Sequence, residues 1–214
     1  MAETTDQLIA RLAADAAPVR RLKRPLLRAA YWLLGVAVIA AVGIFWFSDL
    51  AEFSRRAQDS KLVLEMIATL ATGIAAVIAA FYLSLPDRSS AWALLPVPPL
   101  ALWIITSGYN CYDKWISYGA EGWTLGESAS CFRFILASSI PLGVTLLLML
   151  RRAQPLAPTP VAAMAGLGVA AVSAFLLQFF HPFDITFMDL AVHAVAIAIV
   201  VSVSSASGRI GVRA

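Results

Sequence analysis

Long apolar runs alternate with short polar links along the chain after Arg28. A helix needs about 20 apolar residues to cross a hydrocarbon core of roughly 30 Å, and six runs meet this requirement. The predicted membrane spans cover residues 29–48, 64–85, 91–109, 134–150, 161–180 and 189–207. The pattern therefore predicts an all-α integral membrane bundle of six transmembrane helices, with both termini on the same side of the membrane.

The third of these spans is the least regular. It opens with the sequence ALLPVPPLALW, in which prolines remove N–H donors from the first helical turns. We therefore expect a kink there, or a helix start nearer Pro99. No link is long enough to hold a folded domain, and no convincing internal repeat is found. The chain divides into an N-terminal segment, a transmembrane domain and a short tail, at residues 1–28, 29–207 and 208–214.

A shorter amphipathic pattern precedes the first span. Thr4 is followed by Gln7 three residues later, which is the capping-box pattern, and Asp6 falls in the first turn, where the helix dipole favours an acid. Pro18 ends the predicted helix. The apolar residues that recur on one face are Leu8, Ile9, Leu12 and Ala16. A helix of three to four turns is marginal in water, so this stripe needs a partner.

Two surfaces are candidates to cover the stripe: the inner leaflet of the membrane and a groove in another protein. Helices that lie on membranes usually carry Lys or Arg on their polar face. Here Asp6 and Asp15 outnumber Arg11, and the basic cluster at 20–28 follows the helix. A near-neutral to acidic helix suits a protein groove better, and we favour that interpretation.

Composition and charge support the membrane assignment and set the orientation. The 214 residues are 60% hydrophobic and 14% charged, whereas soluble domains carry about 25% charged residues. With both termini cytoplasmic, eleven of the 16 Lys and Arg residues fall on the inner side and five on the outer side. We attribute the net charge of +3 to this bias and to anionic lipid, and we expect no direct contact with nucleic acid.

The first apolar run is predicted to be a true span. It begins after 28 residues and is longer than the 7 to 15 residues that are typical of a signal-peptide core. The sequence thus predicts a multi-pass membrane protein with cytoplasmic termini.

Few ionisable residues lie near the spans, and none is predicted at mid-span. Since charges deep in the bilayer usually mark ion or substrate pathways, this absence argues against transport. Glu65, Asp184 and Asp189 are placed at the outer boundary, and His193 lies about one turn into the sixth span. Asp189 and His193 share a helix face. We favour a packed boundary pair, with a proton-sensing or ligand role as the alternative.

The two cysteines, Cys111 and Cys131, are predicted at the two ends of the outer link between the third and fourth spans. A disulfide would close 19 intervening residues and contribute roughly 3 kcal/mol, and two separate thiols are an equal alternative. Cys131 is placed at a helix N-terminus near Arg133, which favours a reactive thiolate that senses oxidant or a soft metal. His181 and Asp184 are candidates to complete a metal site, although metal binding is left open.

Catalytic motifs are missing from the sequence. It contains no G-x-S-x-G, H-E-x-x-H, Walker-type or dinucleotide-binding pattern, and the polar links are too short to house one. We therefore expect a protein that is not an enzyme and needs no cofactor. A small transporter or channel and an accessory subunit of a membrane assembly stay open as alternatives.

Three short motifs occur in a fixed order along the chain. TTDQLIARLAADAAPVRR precedes the spans, ESASCFRFILASSIPLG opens the fourth span, and FMDLAVHAVAIAI follows a His-Pro link into the sixth. Together they resemble the NrsF family of bacterial membrane anti-sigma factors, over the whole length of the chain. The positions that match are Asp6, Leu8, Ile9, Leu12 and Ala13 in the first motif and Cys131, Ile140 and Pro141 in the second.

The resemblance implies both a partner and a signal. Members of that family are six-span inner-membrane proteins that hold an extracytoplasmic-function sigma factor inactive through a cytoplasmic N-terminal region. They release it under envelope, oxidative or heavy-metal stress, and outer-facing cysteines are implicated in sensing. The implied sigma-binding residues are Asp6, Leu8, Ile9, Leu12, Ala13 and Asp15, and the sensing candidates are Cys131, Cys111, His181, Asp184, Asp189 and His193.

The chain departs from the family pattern at one position. Relatives tend to carry a second cysteine directly after the histidine of the last outer link, whereas Pro182 follows His181 here. Cys111 is a candidate to take the place of that cysteine.

Overall fold

The computed structural model describes residues 4–15, 21–118, 125–180 and 187–210. Within these ranges the chain is helical and contains no β-strand. The α-helices are α1 (Thr5–Ala14), α2 (Pro25–Phe47), α3 (Leu50–Arg56), α4 (Ser60–Leu83), α5 (Val97–Tyr118), α6 (Leu125–Arg151), α7 (Pro158–Leu177) and α8 (Phe187–Ile210), and a 3₁₀ helix covers Ser90–Leu94.

Six of the helices are long and apolar enough to cross a membrane. They are α2, α4, α5 with the preceding 3₁₀ helix, α6, α7 and α8. The prediction of an all-α bundle with six spans is therefore confirmed. The short helix α3 lies in the first link, where Asp49 caps it by accepting hydrogen bonds from the N–H groups of Ala51 and Glu52 at 3.0 and 2.9 Å.

The second and fifth spans, α4 and α7, form the centre of the bundle. More than half of the apolar stretch of each is buried inside the protein, whereas most of α2, α5 and α8 is exposed. Many large apolar side chains of the outer spans are exposed, as expected for surfaces that face lipid tails. The two central helices therefore hold the other four in place.

Glycines allow α4 and α7 to approach closely where they cross. A Cβ atom on Gly73 would lie 2.9 Å from Cγ2 of Val172, and one on Gly168 would lie 2.8 Å from Cγ2 of Val77. The partner of residue 73 is thus residue 172, and the partner of residue 77 is residue 168. This reciprocal pairing shows that the helices are antiparallel and that the crossing has approximate two-fold symmetry.

The two segments that meet at the crossing have similar sequences. The two contacting segments read GIAAV at 73–77 and GVAAV at 168–172. Five residues are too few to stand out in an alanine-rich sequence. Their equivalence becomes evident only because the segments pack on each other with the same contacts.

The third and fourth spans have boundaries that differ from the predicted ones. The expected irregularity at the start of the third span is confirmed: a break at Leu95 and Pro96 separates the 3₁₀ helix from α5, which begins at Val97. α5 continues to Tyr118, beyond the predicted end of the span at residue 109. α6 begins at Leu125, nine residues before the predicted start at Phe134. Hydropathy locates the apolar part of a helix only, so polar residues that extend a helix beyond it are missed.

Candidate functional site

The N-terminal helix α1 begins with the predicted capping box. Thr4 Oγ1 accepts a hydrogen bond from the N–H of Gln7 at 3.4 Å, and Gln7 Oε1 accepts one from the N–H of Thr4 at 3.1 Å. Asp6 lies in the first turn, and Asp15 ends the helix by donating its N–H to the Arg11 carbonyl at 3.0 Å. The predicted helix is thus confirmed over Thr5–Ala14.

α1 buries none of its residues. Leu8, Ile9 and Leu12 are 38, 59 and 60% exposed, so the apolar stripe is presented to the surroundings. Asp15 follows Leu8 by seven residues and Leu12 by three, which places its carboxylate on the same face. The face available to a partner therefore combines leucine side chains with a negative charge at one end.

The basic segment after α1 is attached to the bundle through Arg28. This residue lies in the first turn of α2 and is only 6% exposed. Its Nη2 donates a hydrogen bond to the carbonyl of Met149, and the guanidinium stacks over the ring of Phe81 at 4.9 Å from the centroid. Arg28 therefore connects the starting end of α2 to the final turns of α4 and α6.

The Met149 carbonyl is available to Arg28 because α6 ends there. The N–H of Ala153 bonds to the carbonyl of Leu150 at 3.0 Å, so it leaves the carbonyl of Met149 in the last turn without its usual helical partner. A cation is also favourable at a helix C-terminus. Arg28 Nη1 is buried and makes no hydrogen bond, so hydrogen bonds offset only part of the cost of burying the guanidinium group.

Apolar packing reinforces this attachment. Ala29, Trp32 and Val36 are buried in the main core together with residues of α4, α6 and α7. Trp32 Nε1 also donates a hydrogen bond to Thr145 Oγ1 of α6 at 3.1 Å. The half of α2 nearest the N-terminal segment is therefore held firmly, while Val36 is its last buried residue.

A buried carboxylate lies between α4 and α5. Glu65 is 3% exposed and accepts hydrogen bonds from Ser107 Oγ at 2.7 Å and from Asn110 Nδ2 at 2.9 Å. Sequence reasoning placed Glu65 at the outer boundary and did not foresee that it packs between two helices, near the start of α4. Ser107 and Asn110 are three residues apart, so they share one face of the third span. This polar face was the signal in the sequence that could have indicated a polar partner on another helix.

The two cysteines are thiols that lie within helices, near the facing ends of the candidate spans Ser90–Asp113 and Ala129–Arg151. Cys111 lies in α5, one turn after Ser107, and is buried. Cys131 is the seventh residue of α6 and is fully buried with Ile135, Leu177 and Ala196. The prediction that Cys131 stands at a helix N-terminus is therefore wrong, because α6 starts six residues earlier, at Leu125. Burial among apolar groups makes a thiol less reactive.

The remaining sensing candidates are only partly described. His181 and Asp184 lie outside the described residues, and Asp189 is in the first turn of α8. His193 lies further along α8 and is half-buried. The described part of the chain holds no group of three His, Cys, Asp or Glu residues that could bind a metal. A site that includes His181 and Asp184 stays a prediction.

Comparison with known proteins gives one match. A sequence model of the NrsF family, described as negative regulator of sigma F, matches residues 12–213. A search of curated proteins and a search of solved structures found no match. The family match covers the whole bundle and the C-terminal part of α1, while residues 1–11 precede it.

Proposed function

The chain belongs to the NrsF family and is a negative regulator of a sigma factor, and from this premise we propose that it sequesters an extracytoplasmic-function sigma factor at the membrane through α1. The observation that supports this proposal is the exposed apolar stripe of a capped helix. The chain that follows this helix is attached to the bundle through Arg28.

The side chains of α1 suit a helix-in-groove contact. Leu8, Ile9 and Leu12 would each contribute about 1.5–3 kcal/mol if fully buried, before the costs of association. Asp6 and Asp15 would attract basic side chains of the sigma factor, and Ala13 would allow close approach. A bound sigma factor would be kept from the polymerase both by the occupied surface and by its position at the membrane.

The proposed orientation places α1 in the cytoplasm, where a sigma factor acts. Eleven of 16 basic residues would then lie on the inner side, in keeping with the positive-inside rule. The protein would reside in a bacterial inner membrane with both termini in the cytoplasm.

Release of the sigma factor would follow a signal at the outer ends of α5, α6 and α8. Cys111, Cys131 and His193 lie on these helices, and His181, Asp184 and Asp189 belong to the link before α8 or to its first turn. Oxidation or metal capture there would have to disturb the buried thiols, and hence the packing of the bundle. The inducing stress is thus envelope, oxidative or metal stress in this proposal.

Co-purification of the sigma factor with the full chain tests the N-terminal contact. Leu8→Asp/Leu12→Asp is expected to abolish capture, because it places two charges on the contact face. The matched control is Ala10→Asp/Ala14→Asp, which adds the same charge on the opposite face of α1. Equal capture by both variants would contradict the proposal.

A transporter or channel is the second candidate, and the buried Glu65 favours it. Intramembrane carboxylates often mark ion pathways, and Glu65 has polar partners on a neighbouring span. Ion flux into vesicles that persists after deletion of residues 1–20 and disappears in Glu65→Gln would support this function instead.

A further inference from the structure

A cavity opens on the bundle at the end where the N-terminal segment enters. Its volume is about 360 Å³, and it lies between the last turn of α6, the first turn of α7 and the last turn of α8. Leu147, Leu150 and Val161 form an apolar wall, and Arg151 and Gln154 contribute polar groups. The described residues of the bundle leave this space unfilled.

The cavity and α1 lie on the same side of the membrane. Four spans separate α1 from the link between α6 and α7, and an even number of crossings returns the chain to its starting side. This relation holds whichever way the protein is oriented. α1 and the cavity therefore face the same compartment.

The segment that joins α1 to α2 meets the bundle next to the cavity. Arg28 bonds to the Met149 carbonyl, so the start of α2 lies against the final turns of α6, which also form one wall of the cavity. Residues 16–24 connect Asp15 to Pro25 and can span roughly 30 Å when extended. This connecting segment is therefore long enough for α1 to reach the cavity.

The two surfaces are also complementary in character. α1 presents Leu8 and Leu12 with Asp15 at the end of the same face, and it carries two aspartates against one arginine. The cavity combines leucine and valine side chains with Arg151, and Arg152 follows next along the chain. Leucines that enter the apolar wall would bring Asp15 toward the arginine at the rim.

We propose that this cavity is an intramolecular docking site for α1, so that the bundle and the sigma factor compete for the same face of the helix. The proposal rests on the function proposed above and adds its regulation. A bundle that keeps α1 docked in about 70–90% of molecules weakens sigma-factor binding roughly 3–10-fold, because the apparent dissociation constant rises as the competent fraction falls. A change that opens the cavity to α1 would therefore release the sigma factor, and a change that closes the cavity would favour its capture.

Cross-linking of the full chain in lipid nanodiscs tests the docking. The pair Leu12→Cys with Gln154→Cys is expected to cross-link on the order of tenfold faster than two controls, because docking raises the effective concentration. One control replaces Leu12→Cys by Ala10→Cys, on the opposite face of α1. The other replaces Gln154→Cys by Asp87→Cys, an exposed position on the same side of the membrane. Equal rates in all three pairs, as expected if a lipid tail fills the cavity, would overturn the proposal.

Added sigma factor separates this proposal from the proposed function. If both hold, saturating sigma factor suppresses the Leu12–Gln154 cross-link. If α1 docks but does not bind the sigma factor, the fast cross-link persists unchanged when the sigma factor is added. If α1 binds the sigma factor without docking, capture depends on Leu8 and Leu12 while the cross-linking rates stay equal.

A charge substitution provides a second measurement. Arg151→Gln is expected to tighten binding of the sigma factor by about 3–10-fold, because it weakens the competing intramolecular contact. Arg152→Gln removes the same charge from the neighbouring residue, which does not line the cavity, and serves as the control. Identical affinities of the two variants would contradict a role for the rim of the cavity.

Discussion

At the scale of single residues, Arg28 and Glu65, which are both buried, are the least expected features of the described part of the chain. Arg28 was predicted as one of several basic residues at the membrane surface, and Glu65 as a boundary residue. The sequence did not predict that each also bonds to a group on another span. Composition shows that a charge is present but not which neighbour it will meet, because that depends on how the helices pack.

The contact of Arg28 predicts a graded loss of stability. Arg28→Ala removes the donor to Met149 and leaves a void beside Phe81, so we expect a loss of about 2–4 kcal/mol. Arg28→Met fills much of the void and also removes a buried, partly unsatisfied cation, so its loss is expected to be smaller. Denaturation in mixed micelles measures both variants. A larger loss in Arg28→Met than in Arg28→Ala would contradict this account.

The Glu65 cluster predicts a similar ranking. Glu65→Ala leaves Ser107 and Asn110 without their acceptor and is expected to cost about 2–4 kcal/mol. Glu65→Gln retains one carbonyl acceptor and is expected to cost less. The same denaturation assay is suitable, with Glu52→Ala on the exposed helix α3 as a control that changes stability by about 0.5 kcal/mol or less. Equal losses in all three variants would show that the hydrogen bonds are unimportant.

At the scale of the helices, the sequence predicted α1 and the number of spans more accurately than the span boundaries. The capping box of α1 depends on Thr4 and Gln7 alone, so it could be predicted from local sequence. The end of α5 and the start of α6 could not, because their polar outer turns lack a hydropathy signal. The assignment of Cys131 to a helix N-terminus was wrong for the same reason.

The crossing of α4 and α7 predicts equal and non-additive effects of two substitutions. Gly73→Ala and Gly168→Ala each place a Cβ under 3.0 Å from a valine methyl group, and each is expected to cost about 1–3 kcal/mol. The double variant should cost less than the sum, since one separation of the helices relieves both clashes. Gly35→Ala, which has no atom within 4 Å, is the matched control.

The measurement for these glycine variants is again unfolding in mixed micelles. Costs that differ greatly between Gly73→Ala and Gly168→Ala would contradict the two-fold relation between the helices. An equally large cost in Gly35→Ala would point instead to a general preference for glycine in these spans.

At the scale of the whole molecule, the all-α class, the six spans and the family were accessible from the sequence. The central position of α4 and α7 was not, because their mean hydropathies of 2.2 and 2.0 resemble those of the outer spans α2, α6 and α8, which are 2.1, 1.9 and 2.0. The cavity beside α6 was equally hidden, since it arises where the ends of three helices meet.

The proposed orientation predicts which cysteines a membrane-impermeant reagent will reach. Leu156→Cys on the exposed link before α7 should be labelled only after the cells are permeabilised. Gln58→Cys on the link after α3 should be labelled in intact cells, because one span separates it from the N-terminal side. Labelling of Leu156→Cys in intact cells would show that the orientation is reversed.

The α4–α7 crossing also affects how the protein is assembled during synthesis. Gly73 and Gly168 are 95 residues apart, so the small-residue face of α4 enters the membrane well before the helix that covers it exists. At roughly 5–20 residues per second, this interval lasts about 5–20 s. During that time lipid or an insertion factor must shield the face of α4, and nascent chains that end before α7 should be the forms that membrane proteases degrade first.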